Sequence, residues 1–189
     1  MVGLSAPRVI VVPRWSGMAK GEWYPWLVSE LFGVGVVDLP EGNPPDPEAW
    51  TASILQAIGD DPYALARTMV IGHSAGCWPL LRALAALAPG RAVKQVLVVA
   101  GWWAVDEPQA ALQPLIEPPL DYDAVKDGVQ SLRVLLSTND PYTANHEANA
   151  ALWRERLEAE VVFAPEAGHF TGAEQPVVLA QLKELYGEL

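Results

Sequence analysis

Cysteine is nearly absent from this chain. Cys77 is the one copy in 189 residues, which excludes an internal disulfide and a metal site of paired thiolates, and fits a reducing compartment. Positive charge is scarce as well. Twelve Lys and Arg stand against twenty-three Asp and Glu, a net charge of −11, so the chain repels a polyanion and has no basic run to neutralise phosphates. Nucleic acid is not an expected partner. Apolar runs such as Arg8 to Pro13 and Gln95 to Ala100 fall far short of the ~20 residues that span a bilayer, and no charged-then-apolar leader opens the sequence. No membrane association and a cytoplasmic location are therefore expected. No glycine-rich phosphate loop follows the first apolar run, and no His/Asp/Glu cluster has metal-ligand spacing, so no cofactor and no metal are expected. Internal repeats and heptads are also missing, which leaves solenoids and coiled coils without support.

Apolar residues make up 51% of the sequence and charged residues 19%, enough for a core, and the length suits one domain over residues 1–189. Short β-branched runs alternate with helix-patterned stretches, which predicts an α/β fold built from βαβ units. Six strands are expected at Arg8–Pro13, Val34–Leu39, Thr68–Gly72, Gln95–Gly101, Leu132–Thr138 and Glu160–Ala164. Most are continuously apolar, as strands covered on both faces must be. Helical spacing marks Glu22–Phe32, Asp46–Ile58, Ala75–Ala88, Thr143–Leu157 and Glu174–Tyr186. The stretch Ala104–Gly128, with four prolines and six acidic residues, reads as a long excursion with at most a short helix around Tyr122–Lys126, and as the place for substrate-contacting surface. Right-handed crossovers allow the strand order 2-1-3-4-5-6, a three-layer α/β/α sheet with reactive groups at the carboxyl ends of its strands.

The run Gly72-His73-Ser74-Ala75-Gly76 joins an apolar strand to a helix. A serine on so sharp a turn sits in strained backbone, so its neighbours two residues away on each side must be nearly free of side chain. The turn points the Ser74 hydroxyl outward, and the Ala75 backbone N–H at the opening of the helix can donate to a developing oxyanion. Pro79 falls near the end of the first helical turn and is expected at most to tilt the helix.

A serine hydroxyl needs a base, and imidazole titrates near neutrality. Of three histidines, His73 is expected to point away from Ser74 as polar filler and His146 to lie on a solvated helical face. His169 follows the last strand in Ala167-Gly168-His169-Phe170, the right place for a base. The orienting acid lies between nucleophile and base in chain order for a fold of this kind. Asp140, after strand five in Asn139-Asp140-Pro141-Tyr142, fits best, with a helix N-cap as its competing role and Asp106 as the fallback. A second oxyanion donor is expected from Pro13-Arg14-Trp15-Ser16-Gly17, through the N–H of Arg14 or, favoured by its spacing, Trp15. Ser16 lacks the flanking glycines of a rival nucleophile.

On the elbow, the stretch Ser137-Thr138-Asn139-Asp140-Pro141-Tyr142 and the Ala-Gly-His-Phe stretch, nearly the whole chain resembles the small serine hydrolases related to retinoblastoma-binding protein nine. The aromatic-rich Glu22-Trp23-Tyr24-Pro25-Trp26-Leu27 is similar too. The resemblance implies a minimal α/β-hydrolase fold without a large lid, a triad of Ser74, Asp140 and His169, and hydrolysis of small ester or amide substrates. One difference is Arg14, where such proteins often carry glycine, and it could bring positive charge to the pocket mouth.

Eight tryptophans is a high count. Trp15, Trp78, Trp102 and Trp103 fall in or beside strand-end loops and are expected to line a pocket for a flat apolar acyl or aromatic group. Trp23, Trp26, Trp50 and Trp153 are expected to pack in the core or between helices, and Cys77 to fill a helix. Two other functions share these residues: a binding or scaffold protein that kept the fold and lost catalysis, and a thioesterase or acyltransferase using the same serine.

Overall fold

Strands β1 (Arg8–Val12), β2 (Val34–Val36), β3 (Thr68–His73), β4 (Gln95–Val99), β5 (Leu132–Ser137) and β6 (Glu160–Ala164) form one sheet in the order β2-β1-β3-β4-β5-β6. All its pairings are parallel. This is a computed structural model, and it describes residues 8–16, 20–107, 109–143 and 145–186. Gly17 of the expected oxyanion loop, Pro108 of the excursion and Ala144 of the expected fourth helix lie outside the described residues.

Alternation along the strands explains why they are apolar throughout. Ile10, Val12, Val70, Val96, Val98, Val134 and Leu136 share one buried cluster with side chains of α2 (Pro47–Ile58), α4 (Cys77–Ala85), α6 (Tyr122–Asp127) and α7 (His146–Leu157). Val9, Val11, Met69, Ile71, Leu97, Val99 and Leu135 share the other with α1 (Tyr24–Glu30) and α8 (Pro176–Tyr186). Each face thus buries a row of aliphatics, and each such side chain contributes roughly 1.5–3 kcal/mol by leaving water. Two single turns, α3 (Pro62–Leu65) and α5 (Gln113–Ile116), complete the helices. Both are too short for a hydrophobic period to reveal.

The departures from the expected elements have local causes. The helix expected from Thr143 starts at His146 because the Asn145 side chain caps it, accepting the Ala148 N–H at 3.0 Å. The helix expected from Ala75 opens as a 3-10 turn, Ser74–Gly76, and becomes α-helical at Cys77. Pro79 therefore lies in the first turn of α4, where a missing N–H leaves no bond unmade. The excursion after β4 holds a 3-10 turn, Ala110–Leu112, and α5 besides the expected short helix. Among the described residues no large lid stands over the sheet, and no helix is long and apolar enough to cross a membrane.

Parallel register brings the carboxyl ends of the strands level. Val12 pairs with Gly72, His73 with Val99, and Ser137 with Ala164. The residues that follow these positions meet along one edge of the sheet.

Candidate active site

The elbow is built as its glycines require. Ser74 holds a left-handed φ of 50°, a conformation that costs a non-glycine residue energy and persists only where its surroundings fix it. A Cβ on Gly76 would stand 2.2 Å from the Pro13 carbonyl oxygen, and one on Gly72 would stand 2.9 Å from Leu80 Cδ2. Gly76 is thus what lets the loop after β1 lie directly on the elbow. Cys77, as expected, is buried, and burial pushes its thiol pKa up, so it stays a protonated filler.

Ser74, His169 and Asp140 stand in a hydrogen-bonded line. The Ser74 hydroxyl donates to His169 Nε2 at 2.8 Å, and His169 Nδ1–H donates to Asp140 Oδ2 at 2.7 Å. All three are buried, at 7%, 8% and 4% exposure, so the line is shielded yet opens on solvent at the serine. Asp140 is not a helix cap. Its other oxygen accepts the Tyr142 N–H at 2.9 Å, which turns the chain back after β5. Asp106 contributes its backbone N–H to the Tyr142 carbonyl at 3.0 Å, while the carboxylate on the imidazole is that of Asp140.

The loops carrying acid and base are tied together. Asn139 Oδ1 accepts the Gly168 N–H at 2.8 Å and the Ser137 hydroxyl at 2.8 Å. Gly168 has φ +59°, and fully buried Phe170 anchors the far side of the loop. The Tyr142 ring stands edge-on to His169, centroids 4.7 Å apart. Asn139 escaped the sequence reading, although its place beside Asp140 on a strand-end loop was a usable signal.

His73 is indeed polar filler, but of a specific kind. Fully buried, it accepts the Tyr24 hydroxyl at Nδ1 (2.7 Å) and donates from Nε2 to the His169 carbonyl (3.0 Å). Burial, aided by the neighbouring His169, pushes its pKa down to about 3. The imidazole is therefore neutral, and the 3.7 Å approach of Glu22 Oε2 to Nδ1 is no ion pair. Tyr24 also accepts the Arg14 backbone N–H at 3.1 Å. That bond occupies the Arg14 donor and leaves Trp15 as the better of the two expected oxyanion donors. His146 departs from expectation: half-buried, it packs its ring edge against Phe163, centroids 5.4 Å apart, instead of facing water.

A cavity of about 160 Å³ opens over Ser74, Ala75 and His169. Arg14, Trp15 and Ser16 form one wall; Trp102, Val105 and Leu112 form another. Trp15 and Trp102 thus line it as expected, and so does Arg14. Trp78 and Trp103 do not. Trp78 packs behind, its ring tilted against Trp102 (centroids 5.9 Å apart) and edge-on to Trp103 (5.1 Å). Trp103 in turn lies against Trp153 and under the Arg156 guanidinium. Trp103 leaves the site because Asn149 turns the chain after Trp102, accepting the N–H groups of Trp103 and Ala104 and donating to the Ala104 carbonyl, whereas Trp78 is carried away on α4. Trp23, Trp50 and Trp153 are buried and Trp26 is half-buried, as packing residues should be. Arg14 is held by an ion pair to Glu22.

Chemically, this arrangement can move a proton from a serine hydroxyl to an oriented imidazole beside a small cavity. Among the described residues no group of three or more His, Cys, Asp or Glu gathers as a metal site.

Comparison with known proteins agrees with this fold. The family model described as serine hydrolase matches residues 9–182. YdeN of Bacillus subtilis strain 168 is 21% identical over 172 residues, which cover 86% of this chain and 85% of YdeN. The crystal structure of the ydeN product from B. subtilis superposes with a TM-score of 0.83 at 19% identity, over 96% of this chain and 100% of the other. Est1E of Butyrivibrio proteoclasticus, solved with ferulic acid bound, gives 0.70 at 14% identity over 97% and 89%. The carboxylesterase CesB of B. subtilis gives 0.58 at 15% over 97% and 84%. The architecture is that of the α/β-hydrolases, as the sequence resemblance implied.

Proposed function

The chain belongs to the serine hydrolase family, and on that footing we propose that it is a carboxylesterase-like enzyme acting through an acyl-enzyme on Ser74. His169 takes the Ser74 proton as the hydroxyl attacks the substrate carbonyl, and Asp140 fixes the imidazole tautomer and stabilises the imidazolium that forms. The backbone N–H groups of Ala75 and Trp15 receive the oxyanion. His169 then gives the proton to the leaving group and later activates the water that releases the acid. The observation that carries this proposal is the hydrogen-bonded line of Ser74, His169 and Asp140 at 2.8 and 2.7 Å.

The cavity bounds the substrate. Its volume of about 160 Å³ is close to that of a cavity holding one benzene ring, roughly 150 Å³. Trp15, Trp102, Val105 and Leu112 make its apolar surface, which suits a short acyl chain or a single flat ring beside the reacting carbonyl. The bound ferulic acid of Est1E is a small aromatic acid of the same general size. We further propose one domain over residues 1–189 and a cytoplasmic location, a reading supported by the single cysteine, which fits a reducing compartment.

Hydrolysis of a p-nitrophenyl ester series tests the assignment. Acetate and butyrate esters should turn over at least tenfold faster than octanoate at equal concentration, since a misfit of several methylenes costs more than 1.4 kcal/mol. A pantetheine thioester cleaved far faster than its matched oxygen ester would redirect the proposal to thioesterase chemistry. Palmitate as the best substrate would contradict the bounded cavity.

A further inference from the structure

The buried Tyr24–His73 pair lies outside the cavity, with the His73 ring beside that of His169, centroids 5.6 Å apart, and its hydrogen bonds end on the loops that carry Arg14 and His169. At one end the Arg14 backbone N–H donates to the Tyr24 oxygen at 3.1 Å. Tyr24 donates to His73 Nδ1 at 2.7 Å, and His73 Nε2–H donates to the His169 carbonyl at 3.0 Å. We propose that Tyr24 and His73 are positioning residues that lock the oxyanion loop and the base loop into one rigid frame, so that Trp15 N–H and His169 Nε2 keep a fixed separation across Ser74. The proposal rests on the assignment of Ser74 as nucleophile.

The chain of bonds has one proton arrangement. A carbonyl can only accept, so the His169 carbonyl obliges His73 to carry its proton on Nε2. The neutral ring then offers Nδ1 as an acceptor, and the Tyr24 hydroxyl donates there. Consistent with this, Glu22 Oε2 is buried with no hydrogen-bond partner, while its other oxygen holds the Arg14 guanidinium. Arg14 is therefore fixed twice, by backbone to Tyr24 and by side chain to Glu22. A frame in which every link has one allowed direction cannot relax by flipping, and its two ends move together. The sites it fixes tolerate little: misplacement by about 1 Å costs on the order of 100-fold in rate.

The experiment compares the parent with Tyr24→Phe, His73→Leu and His73→Gln. It measures kcat and KM for p-nitrophenyl acetate, the rate of labelling by a fluorophosphonate, and thermal unfolding. Tyr24→Phe removes the hydroxyl and nothing else. It should lower kcat and the labelling rate about 10- to 100-fold, with KM within about threefold, because a displaced oxyanion donor weakens the transition state more than the bound substrate. His73→Leu should lose at least as much. His73→Gln offers both a donor and an acceptor and should recover part of that loss, in both rates, although neither variant differs in what it presents to the substrate. A Tyr24→Phe protein that labels at the parental rate, or that loses only in KM, overturns the proposal. So does His73→Gln that is no better than His73→Leu, a comparison that stands even if Tyr24→Phe fails to fold. A folded parent that takes no label at all strikes the Ser74 assignment itself, a failure distinct from a parent that labels normally beside unaffected variants.

Discussion

The site has two walls made in different ways. The reactive wall, Ser74, Asp140 and His169, stands on residues just past β3, β5 and β6, where paired strands fix the backbone and Asn139 ties the outer loops. The opposite wall, Arg14 to Ser16 facing Trp102, Val105 and Leu112, is built from loops and one 3-10 turn. Its shape depends on single contacts such as Asn149 on the chain after Trp102 and Tyr24 on Arg14. On the proposed function, chemistry resides where the sheet gives precision, and selectivity where loops can change without disturbing it.

Substitutions in the two walls should therefore fail differently. The largest effect is expected from Asp140→Asn, which keeps the size of the side chain but gives His169 Nδ1 the wrong partner. Ester turnover should fall by about 10⁴-fold with the fold intact, and Asp106→Asn should leave it within about twofold. Equal losses in both variants would mean that the acid has been misassigned. Gly76→Ala tests the seam between the walls. Its Cβ must displace the Pro13 carbonyl, 2.2 Å away, so the oxyanion loop should lift and kcat should fall on the order of 100-fold. A crystal structure of that variant with an unmoved loop would refute the cause. Within the tryptophans, Trp102→Ala should raise KM for an aryl ester about tenfold through the lost ring contact. Trp78→Ala, one layer behind, should instead cost about 3–5 kcal/mol of stability in denaturant unfolding with KM little changed. Reversed outcomes would place Trp78 at the substrate.

The last effect concerns pH and acts on stability alone. His73 has a folded pKa pushed down to about 3 from the ordinary 6.5. Below pH about 6.5 the unfolded chain takes up a proton that the folded chain refuses, so stability falls with acidification through the window from about 6.5 to 3 and is fully present above it. The slope is at most about 1.4 kcal/mol per pH unit. His73→Gln should flatten this acid limb in urea titrations between pH 6.5 and 4, and an unchanged slope would mean that another group is responsible.

The sheet and the reactive wall were readable from sequence because both depend on local signals. Continuous apolar runs give buried parallel strands. Two glycines around Ser74 report a strained turn, and Asp140 and His169 are distinguished by following strands in the right order. The strand order came from handedness alone. What escaped depends on contacts between residues distant in the chain. Tyr24 bonds a histidine 49 positions away, and nothing in an aromatic helix start announces that partner. Trp103 carries the same composition signal as Trp102, and the turn held by Asn149, 46 positions beyond Trp103, separates them. A helical pattern places His146 on a solvated face and does not show that Phe163 of the next strand covers it. Spacing favours Trp15 over Arg14 as the oxyanion donor, but the bond from the Arg14 N–H to Tyr24, ten positions away, has no signal in the sequence.

The central claim, an activated Ser74, is tested most directly by intact-mass measurement of the parent, Ser74→Ala and His169→Ala after reaction with a fluorophosphonate. The account predicts one adduct per parent molecule and none on either variant. A folded parent without an adduct would favour a scaffold that kept the fold and lost its chemistry, and an adduct that persists on Ser74→Ala would place the nucleophile elsewhere.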